Sequence, residues 1–118
     1  MQVGDKEHID KVFSTKDMKT YQALGGHSVT DGLIPEPLLA GLFSYLLGMK
    51  LPGLGTNYLK QETNYCGAAH VGDKVTASVE ITRLRPDKHL VDLKTICRCV
   101  DGEIICTGRA LVYVKDVK

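Results

Sequence analysis

His27, Ser28, Thr30 and Asp31 lie on the loop HSVTDGLIP, and Glu36 follows at the head of an apolar segment. A histidine and a carboxylate on one loop can divide acid/base work, one taking a proton from water while the other returns one. If the apolar segment is a helix, its N-terminus presents partial positive charge to a developing oxyanion. Polar residues ahead of a helix also serve as turn formers and caps. On that reading Asp31 shapes a turn and Glu36 compensates the helix dipole. Spacing alone leaves both readings open. Ser44, inside the apolar segment, is either a hydroxyl lining an acyl pocket or a side chain bonded back to its own helix.

Two further groups have chemical potential. Cys66, Cys97, Cys99 and Cys106 contain no C-x-x-C pair, and Cys97, Cys99 and Cys106 fall on an apolar strand face, where zinc would lack a fourth ligand at the usual spacing. They read as small buried hydrophobes. Lys94 is predicted to lie opposite Arg109, with Arg98 further along, and directly opposed like charges cost stability unless something negative lies between them. An anion such as the phosphates of a nucleotide-like cofactor could fill that role. So could a solvated face with Glu80 or Asp92 alongside.

The element that positions the loop is Glu36 to Leu51, EPLLAGLFSYLLGMKL. It is apolar or glycine on nearly every side, so a helix here is expected to be buried all round. Pro37 suits a first helical turn, and Leu51-Pro52-Gly53 supplies the stop. Upstream, Glu7 to Phe13 reads as a short strand. Ser14 to Leu24 reads as an amphipathic helix, opened by a capping box of Ser14 and Asp17 and ended by Gly25-Gly26.

Downstream, Asn57 to Tyr65 reads as a strand. Lys74 to Leu84 alternates cleanly, with Val75, Ala77, Val79 and Ile81 on one face. Arg85 to Lys88 is a turn, and His89 to Val100 and Glu103 to Val114 form a hairpin about Asp101-Gly102, a pair favoured in two-residue type I′ turns. Stepping outward from Val100 opposite Glu103 places Cys97 opposite Cys106 and Lys94 opposite Arg109. Val91, Leu93, Cys97, Cys99, Ile104, Cys106, Ala110 and Val112 then face the helix. The expected class is α+β, one buried helix enclosed by a curved antiparallel sheet.

A chain of 118 residues, 43% hydrophobic and 25% charged, suits one globular domain spanning 1–118. A formal net charge of +1 argues against nucleic acid or a membrane surface as partner and for a small substrate. The start, MQVGDKEHIDK, has no apolar core of a secretory signal, so a cytoplasmic setting with free thiols is expected.

The runs LLAGLFSYLLGMKLPGLGTNYLKQ, VGDKVTASVEITRLRPDKHLVDLKT and DGEIICTGRALVYV together resemble an (R)-specific enoyl-CoA hydratase of the MaoC-like group, a branch of the hot-dog fold. The specific part is LPG-x-GT-x-YL-x-Q at Leu51 to Gln61. The resemblance implies a long central helix wrapped by a curved antiparallel sheet, a homodimer, and an acyl-thioester tunnel near the dimer interface. It implies hydration of a trans-2-enoyl-CoA to the (R)-3-hydroxyacyl-CoA, with an acyl-CoA or acyl-carrier thioester as substrate and no cofactor.

In that family the acid/base pair is an Asp and a His in a motif D-x-N-P-x-H. This chain has no Asn-Pro, and against the family it lacks roughly a dozen residues between Gly26 and the helix, a large change by ordinary loop lengths. His27 takes the slot of the family's Asp, and Asp31 comes close to that of its His. Pro35-Glu36-Pro37-Leu38 stands where the family reads His-Gly-Met-Leu, and Ser44 matches its helix serine. The expected catalytic residues are His27, Asp31 and Glu36, with Ser44, Gly32 and Leu38 binding substrate. Two other functions fit this loop: a non-catalytic acyl-CoA-binding protein, and an acyl-CoA thioesterase using Glu36.

Overall fold

The computed structural model describes residues 1–26 and 32–115. In chain order the elements are strand β1 (Lys6–Val12), helices α1 (Thr15–Ala23) and α2 (Glu36–Met49), and strands β2 (Thr56–Tyr65), β3 (Lys74–Arg85), β4 (Leu90–Cys99) and β5 (Ile104–Val114). The five strands form one sheet in the order β1-β3-β4-β5-β2, every neighbouring pair antiparallel. β1 and β2 are therefore its edges.

The Ser14 hydroxyl accepts from the Asp17 N–H at 3.1 Å, and the Asp17 carboxylate accepts from the Ser14 N–H at 2.8 Å, completing the expected capping box of α1. That backbone hydrogen bond from Ser14 is the main reason the Asp17 carboxyl ionises below its ordinary value. A carboxylate depressed in the folded state supports folding above its unfolded pKa, and the support is lost as pH falls through the folded value. An NMR titration of Asp17 should accordingly show a midpoint below about 3.9. The apolar face of α1 is only partly covered by the rest of the described chain: Met18 and Tyr21 are half-buried, no residue of the helix is fully buried, and Leu24 at its end is 85% exposed.

α2 ends at Met49, with Leu51 N–H donating to the Leu46 carbonyl at 2.8 Å to close the last turn. Leu39, Leu42, Phe43, Leu46 and Leu47 are buried, the i, i+3, i+4 spacing of one helical stripe, and they pack on the inner face of the sheet. The expectation of burial on all sides is corrected here. Gly41, Ser44, Tyr45 and Met49 lie on the opposite, exposed face of this chain. That face is made of glycine, serine and amphipathic side chains, so hydropathy alone does not mark it.

β3 buries Val75, Ala77, Val79 and Ile81, as its alternation predicts. In the β4–β5 hairpin, Cys97 pairs with Cys106 and Lys94 with Arg109, as expected. The turn itself differs. Gly102 N–H donates to Cys99 O at 2.9 Å and Cys99 N–H to Glu103 O at 2.8 Å, with Gly102 at φ +90°, so the loop has three residues and closes on a left-handed glycine. A bulge between the pairs Arg98–Ile104 and Cys97–Cys106 restores the outer register. The two irregularities offset each other. In consequence Ile105, not Ile104, is fully buried alongside Cys106.

All the cysteines are free thiols. Cys97 is hydrogen-bonded to Cys106 and shut away from water, and both effects push its ionisation up. A disulfide-exchange reagent added to the folded protein should therefore modify exposed Cys66 first. Cys97 and Cys106 should react only when denaturant is added; fast labelling of either in the native state would contradict this burial. Among the described residues no helix is long and apolar enough to cross a membrane.

Candidate active site at the head of the central helix

The N-terminus of α2 is set by Pro35, which caps it with extended backbone (φ −59°, ψ 141°) and no side-chain hydrogen bond. Pro37 in the first turn has no N–H, and the Leu38 N–H donates to the Pro35 carbonyl at 3.1 Å. The Glu36 N–H has no protein acceptor among the described residues. The Glu36 side chain is exposed in the first helical turn, where its charge suits the dipole.

The approach to this helix end is fixed by the connection between β2 and β3. Ile34 N–H donates to Ala69 O and Val71 N–H to Gly32 O, each at 2.8 Å, so Leu33 and His70 form an antiparallel bridge. Gly32, at φ +70°, is exposed and ends the loop in a conformation that suits glycine. His70 is held by a turn in which its own N–H donates to the Asp73 carboxylate at 3.0 Å. At the far end of β2, the Tyr65 hydroxyl donates to the Glu36 carbonyl at 3.3 Å.

The Tyr58 phenol, on the helix side of β2, is pushed up to about 12 by burial. Burial likewise raises Tyr65. Both phenols therefore remain neutral hydrogen-bond donors throughout the working pH range.

The structure thus gathers Gly32, Glu36 and Leu38 at one helix end. Leu38 is half-buried against the core, while Ser44 lies two turns along on the open face. At 1.5 Å per residue Ser44 stands about 12 Å along the axis from Glu36, too far for both to touch one reacting atom. His27 and Asp31 lie outside the described residues. Sequence reading overlooked Tyr65 and His70. A bulge between Tyr58 and Lys60 breaks the period of two along β2, so alternation from Tyr58 turns Tyr65 outward and hides it; His70 carries no local signal, because only the bridge to Leu33 brings it here. Among the described residues no group of His, Cys, Asp or Glu is arranged to hold a metal.

No family model matches the chain. An (R)-specific enoyl-CoA hydratase of Aeromonas caviae is 35% identical over 126 aligned positions, covering 95% of this chain and 94% of the relative. Those 126 positions exceed the 118 residues of the chain, so the relative holds residues with no counterpart here. A second (R)-specific enoyl-CoA hydratase, from Rhodospirillum rubrum, is 40% identical over 77 residues, which are 65% of this chain and 53% of that protein. The solved (R)-hydratase from A. caviae involved in PHA biosynthesis matches the fold with a TM-score of 0.89 at 34% identity, covering 97% of each chain. A helix wrapped by a β1-β3-β4-β5-β2 antiparallel sheet is the hot-dog arrangement, and with likeness of this extent in sequence and fold the chain belongs to the MaoC-like (R)-specific enoyl-CoA hydratase family.

Proposed function

We propose that the chain is an acyl-thioester hydratase, adding water to a trans-2-enoyl-CoA to give the (R)-3-hydroxyacyl-CoA and running the dehydration in reverse. The observation that carries this reading is the 35% identity to an (R)-specific enoyl-CoA hydratase across 94% of that enzyme. His27 and Asp31 form the acid/base pair. One takes a proton from water as the oxygen bonds to C3, and a proton is delivered to C2. The Glu36 amide, on the positive end of α2, faces the thioester oxygen as negative charge builds on it. Gly32, Leu38 and Ser44 border the acyl group.

The open face of α2, bearing Tyr45 and Met49, and the exposed β2 edge, bearing Leu59, are the surfaces on which a second copy packs to make a homodimer. The protein works on fatty-acyl thioesters in the cytoplasm, and no cofactor takes part.

Crotonyl-CoA is the test substrate: loss of its enoyl absorbance without release of thiol marks a hydratase. His27→Ala should lower kcat/KM by about 10²- to 10⁴-fold with the circular dichroism unchanged. Retention of full activity in that variant would remove His27 from the mechanism. Thiol release abolished by Glu36→Gln would replace hydration with thioester hydrolysis, and tight binding of the thioester with no turnover would replace it with a binding role.

A further inference from the structure

The outer face of the sheet, opposite α2, carries one row of charges in register across all five strands: Lys6, Glu80, Lys94, Arg109, Glu62. Glu80 turns outward to Lys6, and Glu62, at the other end of the row, turns inward to Arg109. Glu80 is bound by Lys6 at 3.4 Å and Glu62 by Arg109 at 2.8 Å. Asp92, the other acid near the centre, is bound by Arg85 at 2.7 Å. Lys94 is left in the middle, beside Arg109 and without an ion pair among the described residues. Arg98, two outward positions along β4 with Ile96 between, has no acid within ion-pair distance among the described residues, its guanidinium donating only to the Gly102 carbonyl at 3.4 Å.

Shallow grooves run between the side chains of this face. Two adjoining grooves of about 390 and 510 Å³ share Glu62, Thr82 and Arg109, and a third of about 230 Å³ meets the second of them at Lys94. A register shift in β3 beside Thr82 interrupts the sheet there. Thr82, Thr107 and Ser78 bring hydroxyls to the grooves beside Lys94.

We propose that this outer face is a binding site for a diphosphate ester, centred on Lys94. Glu62 offsets Arg109 from the edge of the sheet, which leaves the Lys94 charge beside it uncompensated, and an anion at Lys94 would supply the missing counter-charge. An ammonium with free donors, a guanidinium and neighbouring hydroxyls suit phosphate oxygens, and two linked phosphates span a row of cations better than one. The same chemistry is offered by a free nucleoside diphosphate and by the nucleotide end of an acyl-CoA. The site stands apart from the helix end where hydration is placed, so it does not depend on that reading.

The experiment is calorimetric titration of the full-length protein with ADP, with inorganic diphosphate and with CoA. Wild type, Lys94→Gln, Arg109→Gln and Lys16→Gln, the last altering an exposed lysine on α1, are compared. Saturable binding of ADP and diphosphate that weakens about tenfold or more in both groove variants but not in Lys16→Gln is the expected result. Lys94→Gln relieves a repulsion on an exposed surface, so it is expected to fold as the wild type does. If the ligand is the substrate's own nucleotide, Lys94→Gln also raises KM for crotonyl-CoA at unchanged kcat. If it is a free nucleotide, the kinetics stay as in wild type. Absence of saturation by about 5 mM, or equal affinity in all the variants, would overturn the proposal.

Discussion

Gly108→Ala is expected to cost at least about 3 kcal/mol of stability, a large fraction of the roughly 5–15 kcal/mol that holds a domain of this size folded. Gly108 sits in β5 opposite Thr63 of the edge strand β2 and Thr95 of β4. A Cβ added there would run into the Glu62 carbonyl oxygen and lie 3.0 Å from both the Glu62 carbonyl carbon and Thr63 Cα. All three are backbone atoms, so no rotamer change relieves the contact; β2 must move away from β5 or break its ladder. The loss would reach the candidate site through Tyr65, which closes β2 and whose hydroxyl holds the Glu36 carbonyl at the head of α2. Denaturant unfolding measures the effect, with Thr107→Ala on the adjacent, partly exposed position as the companion variant. A wild-type midpoint for Gly108→Ala would mean that the two strands are less closely apposed than this geometry requires.

Why β3 and the outer part of the hairpin were legible, and the turn was not, follows from what each segment offers. β3 has one dry and one wet face, so Val75, Ala77, Val79 and Ile81 alternate with Thr76, Ser78 and Glu80 and declare their side. Asp101-Gly102 announces a hairpin, but it suits a three-residue loop with a left-handed glycine as well as a two-residue turn. Ile104-Ile105-Cys106 is apolar throughout, so nothing in it reveals which isoleucine the bulge turns inward. The outer pairs survived because the bulge compensates the longer turn.

The same logic divides the candidate site. Ser14 and Asp17 bond within three residues of each other, and that spacing is visible in the sequence. Tyr65 reaches Glu36 across 29 residues, and His70 meets Leu33 only because the chain returns beside the helix entrance. Contacts of that range are products of the fold. The open face of α2 was hidden for a different reason: Gly41, Ser44, Tyr45 and Gly48 are neither charged nor strongly polar, so they resemble core residues whether another copy covers them or not.

Phe43→Ala should be the most damaging truncation within α2, at about 3–5 kcal/mol, because the surrounding core can collapse only partly onto the space it leaves. Phe43 is 0% exposed and lies among the buried leucines of α2 on the inner sheet face. Tyr45, two residues on and 44% exposed, supplies the contrast. In an isolated chain Tyr45→Ala should change stability by less than about 1 kcal/mol. In a homodimer packed through the open face of α2, its cost would rise, and the melting temperatures of wild type and variant would both climb with protein concentration. Thermal unfolding of both variants over a range of concentrations separates these contributions. A concentration-independent loss confined to Phe43→Ala would make α2 a helix stabilised by its own sheet alone, and would remove the open face from the dimer proposed above. A concentration-dependent loss at Tyr45 would explain why a helix with so apolar a sequence leaves one side uncovered in a single chain.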